Sequence, residues 1–149
     1  REIGWLLDFH YSDCWTDPGK QIPPKAWKGM TESELCQAVY EYTAAVLKRC
    51  GKEQVIPEIV SVGNEVSHGL LWPVGKVPAW ESVARLISAG IRAVHDTFPE
   101  IRVMIHLHNG GNNELYRNWF DRYLEHGGEE FEYIGLSYYP FWHGTLPML

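Results

Sequence analysis

The sequence predicts an α/β fold in which a parallel β-sheet forms part of a (β/α)8 TIM barrel. Four apolar segments alternate with three segments of helical periodicity along the 149 residues. Such alternation implies right-handed crossovers and parallel strand pairing. An open doubly wound sheet also fits this order. We favour a partial barrel of about four strands and three helices, because polar or aromatic residues follow all four strands instead of clustering at one switch point.

The predicted elements are separated by clear boundary signals. Thr31 and Glu34 form a capping box at the start of the first helix, and Gly51 ends it. Pro78 suits the first position of the second helix, and Asn112 or Asn113 can cap the third. In order, the elements are a strand at 3–9, a loop at 13–30, a helix at 31–51, a strand at 59–65, a helix at 78–97, a strand at 101–107, a helix at 112–127 and a strand at 133–139.

Composition excludes several classes of function. The formal net charge is -6, and no basic cluster offers the footprint that nucleic-acid binding needs. No apolar run approaches the roughly 20 residues of a membrane-spanning helix. Three cysteines, Cys14, Cys36 and Cys50, allow at most one internal bridge, and we expect free thiols because the last two share one predicted helix.

Both ends of the sequence lie close to predicted strands. Arg1 stands two residues before the first strand, and no closing helix follows the last one. We therefore expect residues 1–149 to be an internal fragment of a single, longer catalytic domain.

The second strand carries the strongest functional signal. Its apolar residues lead directly into Asn64 and Glu65, and a loop with Trp72 follows. The carboxyl ends of parallel strands are where catalytic residues of barrel enzymes lie. A glutamate there, beside an aromatic loop, is a candidate general acid.

Histidines and aromatic residues at the other strand ends allow two interpretations. His106 and His108 lie on one face of a strand, so together with His10 and Glu65 they could hold zinc. The second interpretation concerns aromatic rings beside polar groups, which suit stacking on the apolar face of a sugar. Rings in such positions are Trp15, Trp27, Trp72, Tyr138, Tyr139 and Trp142. We favour sugar binding and expect no metal.

Several segments together resemble one family, the endo-β-1,4-galactanases of glycoside hydrolase family 53. They recur in the family's order and spacing across essentially the whole chain. The segments are DFHYSDCWTDPGKQIPPKAW (8–27), VGNE (62–65), GLLWP (69–73), MIHLHNGG (104–111) and GLSYYPFWHGTL (135–146).

The resemblance implies that the chain holds strands three to six of a (β/α)8 barrel. Glu65 then corresponds to the general acid/base, and Asn64 to the amide that binds a sugar hydroxyl beside the cleaved bond. The catalytic nucleophile of such enzymes ends the seventh strand, beyond this chain. Six further residues fall in segments that line the family's cleft: His10, Asp13, Trp15, His106, Tyr138 and Trp142.

The implied protein is a retaining glycosidase that cleaves β-1,4-galactan or type I arabinogalactan without a cofactor. We expect the full-length protein to be a secreted or periplasmic monomer, and the isolated chain to be inactive. Two alternatives remain open: a non-catalytic carbohydrate-binding fragment, and a metal-dependent hydrolase that uses His10, His106 and His108.

Overall fold

The computed structural model describes residues 3–143 and 145–146 of the chain. In chain order, its strands and helices of four or more residues, with one short hairpin, are β1 (Leu6–Phe9), α1 (Glu32–Lys52), β2 (Ile59–Val62), β3 (Gly69–Leu70), β4 (Gly75–Lys76), α2 (Trp80–Thr97), β5 (Arg102–Leu107), α3 (Asn113–Glu125), β6 (Tyr133–Leu136) and α4 (Pro140–His143).

Four strands form one parallel sheet in the order β1-β2-β5-β6. This order follows the chain without a reversal, so the described sheet contains no switch point of the doubly wound kind. A segment of a barrel has this topology, because each strand of a barrel pairs with the next one along the chain. The prediction of four parallel strands linked by three helices is confirmed.

One face of the sheet packs against the helices and forms the hydrophobic core. Val60, Val62, Val103 and Ile105 project from the central strands and are fully buried there. Burial of each such side chain contributes about 1.5–3 kcal/mol. The predicted capping box starts α1, since Thr31 N–H donates to Glu34 Oε2 and Glu34 N–H donates to Thr31 Oγ1.

The other face of the sheet corresponds to the interior of a barrel. Leu7 and Phe9 belong to the helix-facing core, so the alternation of side chains along β1 places Asp8 on the interior face. Asp8 pairs in register with Ser61, and Ser61 pairs with Met104. Polar side chains thus lie within an otherwise apolar sheet, below the carboxyl ends of the strands.

Some element boundaries differ from the predicted ones. α2 begins at Trp80 rather than Pro78, with Ala79 as its N-cap residue. β6 ends at Leu136 rather than Tyr139, since its partner β5 ends at Leu107. The β3–β4 hairpin and the short α4 were not predicted. All three cysteines are free, as predicted. In the described part of the chain, no helix is both long and apolar enough to cross a bilayer.

Candidate active site

A sharp turn at the end of β2 presents Glu65. Gly63 has φ +87°, and a Cβ there would lie 2.5 Å from Val66 Cγ1, so glycine is required. Glu65 itself is left-handed, with φ 49° and ψ 51°. That conformation costs a residue with a side chain about 1–3 kcal/mol, and such strain concentrates at functional sites. The turn therefore holds a partly exposed carboxylate at the carboxyl end of the sheet.

The same backbone feature follows three strands of the sheet. Tyr11, Glu65 and Asn109 have φ values of 48°, 49° and 58° respectively. Each lies two or three residues beyond the end of its strand. At each of these left-handed residues the chain turns away from the sheet, close to the polar side chains at the end of the strand.

Asn64 is buried and links the end of β2 to its neighbours. Its Nδ2 donates to the carbonyl oxygen of Thr16 over 2.8 Å, which leaves Oδ1 facing Nδ1 of His106 at 3.0 Å. An amide oxygen can only accept, so His106 carries its proton on Nδ1. Its Nε2 then accepts from the hydroxyl of Ser137, also at 3.0 Å. A continuous hydrogen-bond network thus joins β2, β5 and the residue that follows β6.

His106 is held as a neutral donor in this network. Burial lowers the pKa of His106, although the carboxylates of Asp8 and Glu65 oppose this effect. The backbone nitrogen of Glu65 is 3.4 Å from Nδ1. Because that ring nitrogen already carries a proton for Asn64, this approach is a packing contact and not a hydrogen bond.

The long loop between β1 and α1 braces the site from the side. Gln21 is buried, and its Nε2 donates to the carbonyl oxygens of Asn64 at 2.9 Å and Asp17 at 3.1 Å. Thr16 is buried too and accepts the proton of the Asn64 amide. Sequence reasoning predicted a functional loop but did not identify Thr16 or Gln21, since buried polar loop residues have no distinctive sequence pattern.

His10 stands at the end of β1 with both ring nitrogens directed into the protein. Its Nδ1 accepts the backbone N–H of Thr16 at 3.0 Å, so the neutral ring carries its proton on Nε2. Nε2 is 3.6 Å from Oδ2 of Asp8. The indole of Trp15 packs against the imidazole, with ring centroids 4.8 Å apart.

Asp8 is a site residue that sequence reasoning missed. Burial is the main influence on it and raises the pKa of Asp8, while the nearby Ser61 hydroxyl, His10 and His106 lower it and Glu65 raises it further. The available signal was a carboxylate in the middle of an apolar strand. Among the aspartates of β1 and the loop that follows it, only Asp13 was predicted to line the cleft.

The remaining predicted site residues lie in different surroundings. Asp13 is exposed, and its Oδ2 accepts the backbone N–H of Lys25 at 2.8 Å, so it anchors the long loop. Trp15 and Trp142 are 72% and 76% exposed. Tyr138 is half-buried, with its ring centroid 6.1 Å from that of His143.

Two other loop tryptophans have their rings occupied by the protein itself. Trp27 packs among aromatic rings, with its centroid 6.0 Å from that of Tyr42. Lys76 Nζ lies 4.4 Å from the centroid of Trp72, and the Trp72 indole N–H donates to the carbonyl oxygen of His68. These two rings therefore differ from Trp15, whose ring extends into solvent.

The geometry does not assemble the zinc site considered above. Both ring nitrogens of His106 are used by Asn64 and Ser137, and His108 Nδ1 lies 2.6 Å from the hydroxyl of Ser67. His106 and His108 thus contact different residues. Among the residues that the structure describes, no group of three or more His, Cys, Asp or Glu side chains is arranged to hold a metal ion.

Comparison with known proteins gives a consistent result. The sequence profile of glycosyl hydrolase family 53 matches residues 2–149. The chain is 47% identical to an uncharacterised protein from the bgaB 5′ region of Niallia circulans, with 99% of the chain and 42% of that protein covered. It is 42% identical to an arabinogalactan endo-β-1,4-galactanase of Cellvibrio japonicus, with 97% and 40% covered.

The fold agrees with a solved structure, the GH53 catalytic domain of Ignisphaera aggregans. The TM-score is 0.92 at 43% sequence identity, and the match covers 97% of this chain and 40% of that one. The prediction of a partial TIM barrel is confirmed. The chain spans about two fifths of the length of these relatives.

Proposed function

The chain belongs to glycosyl hydrolase family 53, and from this premise we propose that the complete protein is an endo-acting retaining glycosidase. Its substrate is β-1,4-galactan or type I arabinogalactan. The names of relatives such as the Cellvibrio japonicus arabinogalactan endo-β-1,4-galactanase support this substrate. The polysaccharide is the expected partner, and we propose a secreted monomer that needs no cofactor.

The observation that carries this proposal is the position of Glu65. The carboxylate stands partly exposed on a left-handed turn at the carboxyl end of β2. In retaining hydrolysis one carboxylic acid protonates the leaving oxygen, and the same group later takes a proton from the attacking water. This position supports the proposal that Glu65 performs both steps.

Hydrolysis with retention also needs a nucleophilic carboxylate about 5–5.5 Å from the acid/base. We place that nucleophile outside this chain. Asp8 does not suit the role, because one of its oxygens is buried and the other faces His10. Asp13 is committed to the backbone of Lys25.

Asn64 can bind the sugar while it remains in its network. The amide uses one N–H for Thr16 and one lone pair of Oδ1 for His106. A second N–H and a second lone pair remain for a sugar hydroxyl. We assign the remaining cleft contacts to His10, Asp13, Trp15, His106, Tyr138 and Trp142, with Trp15 and Trp142 as stacking surfaces.

Replacement of Glu65 by glutamine in the complete protein tests the acid/base role. The amide keeps the shape but cannot donate a proton, so we expect turnover of galactan to fall about 10²–10⁴-fold. Aryl β-galactosides with good leaving groups need no protonation in the first step, so their first step should be far less affected. A matched control, Glu100→Gln at an exposed position, should leave both rates unchanged. An equal loss on both substrates would argue against Glu65 as the acid.

A non-catalytic carbohydrate-binding protein is the second candidate, and the exposed rings of Trp15 and Trp142 favour it. It predicts that the complete protein binds galactan without releasing reducing ends. Reducing-end release from galactan by the complete protein, lost on Glu65→Gln, would exclude it.

A further inference from the structure

Asp8 is costly where it lies. It occupies the middle of β1, and its Oδ1 is buried without a hydrogen-bond partner among the described residues. The Ser61 hydroxyl is close enough to favour the Asp8 carboxylate, but its single proton is directed to the carbonyl oxygen of Gly63 at 2.9 Å. A buried carboxylate oxygen that lacks a hydrogen bond is unfavourable, although 30% of the Asp8 side chain as a whole is exposed. An apolar residue would suit this strand position better, which indicates that Asp8 serves a purpose other than stability.

The group that Asp8 faces is His10. Oδ2 lies 3.6 Å from Nε2, the ring nitrogen that carries the proton because Nδ1 accepts from the backbone of Thr16. The ring is therefore fixed at one edge by a buried residue of the long loop and attracted at the other by a carboxylate. Both ring nitrogens therefore face polar groups of the protein.

The face of His10 supports Trp15. The two ring centroids are 4.8 Å apart, although the indole is 72% exposed. An indole on a loop has side-chain freedom that must be lost before a sugar can stack on it. A neighbouring ring held in place removes part of that freedom before the ligand arrives.

We propose that Asp8 is a positioning residue that holds His10, and through His10 holds the Trp15 indole ready to stack on a sugar ring of the substrate. This inference rests on the proposed function, because it needs the site to bind a saccharide. The roles divide as follows: Trp15 stacks on the sugar, His10 supports Trp15, and Asp8 acts through His10.

The first test is independent of binding and activity. In NMR spectra of the complete protein with labelled histidine, the His10 nitrogens should report a proton on Nε2. The carbon-bound protons of its ring should be shifted by the Trp15 ring current. Trp15→Ala should abolish that shift, and Asp8→Asn should reduce it. A proton on Nδ1 in the wild-type protein, or a shift indifferent to both substitutions, would overturn the proposal.

The second test measures coupling in binding. A β-1,4-galactotetraose probe is titrated into proteins that also carry Glu65→Gln, which prevents turnover. We expect Trp15→Ala to weaken binding about tenfold and Asp8→Asn about threefold. The double variant should bind no more weakly than Trp15→Ala alone, because two members of one unit are not additive. Additive losses, or no loss from Asp8→Asn, would overturn the proposal.

Asp121→Asn provides the matched control, because this aspartate is exposed on α3. It should change neither the His10 spectrum nor binding. If the complete protein binds no galactotetraose, the proposed function fails, while the His10 spectrum still decides whether Asp8 and Trp15 act on the same ring. Should Asp8→Asn not fold, the wild-type spectrum and Trp15→Ala test the His10–Trp15 contact by themselves.

Discussion

The end of β2 and the middle of β1 both carry a carboxylate in the interior of the sheet, in opposite surroundings. Glu65 lies on a strained turn, is partly exposed, and follows an asparagine whose amide is fixed by two hydrogen bonds. Asp8 lies within a regular strand, with one oxygen sealed from solvent and unpartnered. The first carboxylate is free to meet a substrate, whereas the second is directed at His10, with Oδ2 3.6 Å from Nε2.

Backbone geometry accounts for this difference. At Glu65 the chain has left the sheet, so the side chain is free of the alternation that points strand residues into or away from the core. At Asp8 the strand dictates the direction, and the side chain faces the interior. Two carboxylates near one another can thus take separate roles, set by their environments.

Disruption of the turn at β2 should have the largest effect, without any change to Glu65. In Gly63→Ala the new methyl group would lie 2.5 Å from Val66 Cγ1, at a φ of +87°. We expect a loss of about 2–4 kcal/mol in the free energy of unfolding. We also expect galactan turnover to fall about 100-fold, because the carboxylate would be displaced. Denaturant unfolding and initial rates of the complete protein measure the two effects.

Gly29→Ala is the control for this substitution. Gly29 has a similar φ of +83°, but nothing lies within 4 Å of its added Cβ. Only backbone strain remains, so we expect about 1 kcal/mol of destabilisation and unchanged turnover. Equal losses of turnover in both variants would mean that the turn matters for folding and not for the position of Glu65.

A smaller effect should follow removal of the hydroxyl at the far end of the network. Ser137→Ala deprives His106 Nε2 of its donor, which frees the ring that fixes Asn64. We expect kcat/KM to fall about fivefold, equivalent to about 1 kcal/mol. Steady-state kinetics on galactan give this ratio.

Ser67→Ala makes the matching change on the other β5 histidine. It removes the hydroxyl that contacts His108, and we expect kcat/KM to stay within about twofold since His108 lies outside the Glu65 network. A greater loss of kcat/KM in Ser67→Ala than in Ser137→Ala would indicate that the active site is centred nearer His108.

The fold was predictable because its signals are local. Hydrophobic periodicity and the Thr31–Glu34 capping box located α1, and apolar runs located the four parallel strands. The errors occurred at the ends of elements, where contacts with distant residues decide the boundary. β6 ends at Leu136 because β5 ends at Leu107, and α2 begins at Trp80, two residues after Pro78.

Residues of the candidate site could be predicted only where the residue type by itself suggests a chemical role. Asn64 and Glu65 could be identified because an amide and a carboxylate interrupt an apolar strand. Asp8 interrupts a strand in the same way but was read as part of the apolar run. Gln21 and Thr16 both contact Asn64, which lies more than 40 positions away in the sequence. No local sequence pattern reveals such a contact.

The smallest effect concerns Asp8 and should appear in the pH dependence of stability. The raised pKa of Asp8 means that the folded protein binds this proton more tightly than the unfolded chain does. Protonation of Asp8 therefore stabilises the folded state at low pH. This stabilisation is lost as the pH rises above the ordinary pKa of 3.8 and through the raised pKa of the folded state. Asp8→Asn removes this penalty, so the variant should have the higher Tm at neutral pH, and the difference should narrow on acidification.

Glu34→Gln should behave in the opposite sense. The backbone N–H of Thr31 holds the pKa of Glu34 below its ordinary value of 4.5, so this carboxylate stabilises the fold above that value and the benefit is lost on acidification. Glu34→Gln should therefore lower the Tm at neutral pH, with a deficit that disappears in acid. Calorimetry of both variants from about pH 2 to about pH 8 shows whether the two changes in Tm have opposite signs at neutral pH and vanish in acid. A lower Tm for Asp8→Asn at neutral pH would show that the carboxylate is kept for stability, through its attraction to His10, and not for the position of Trp15.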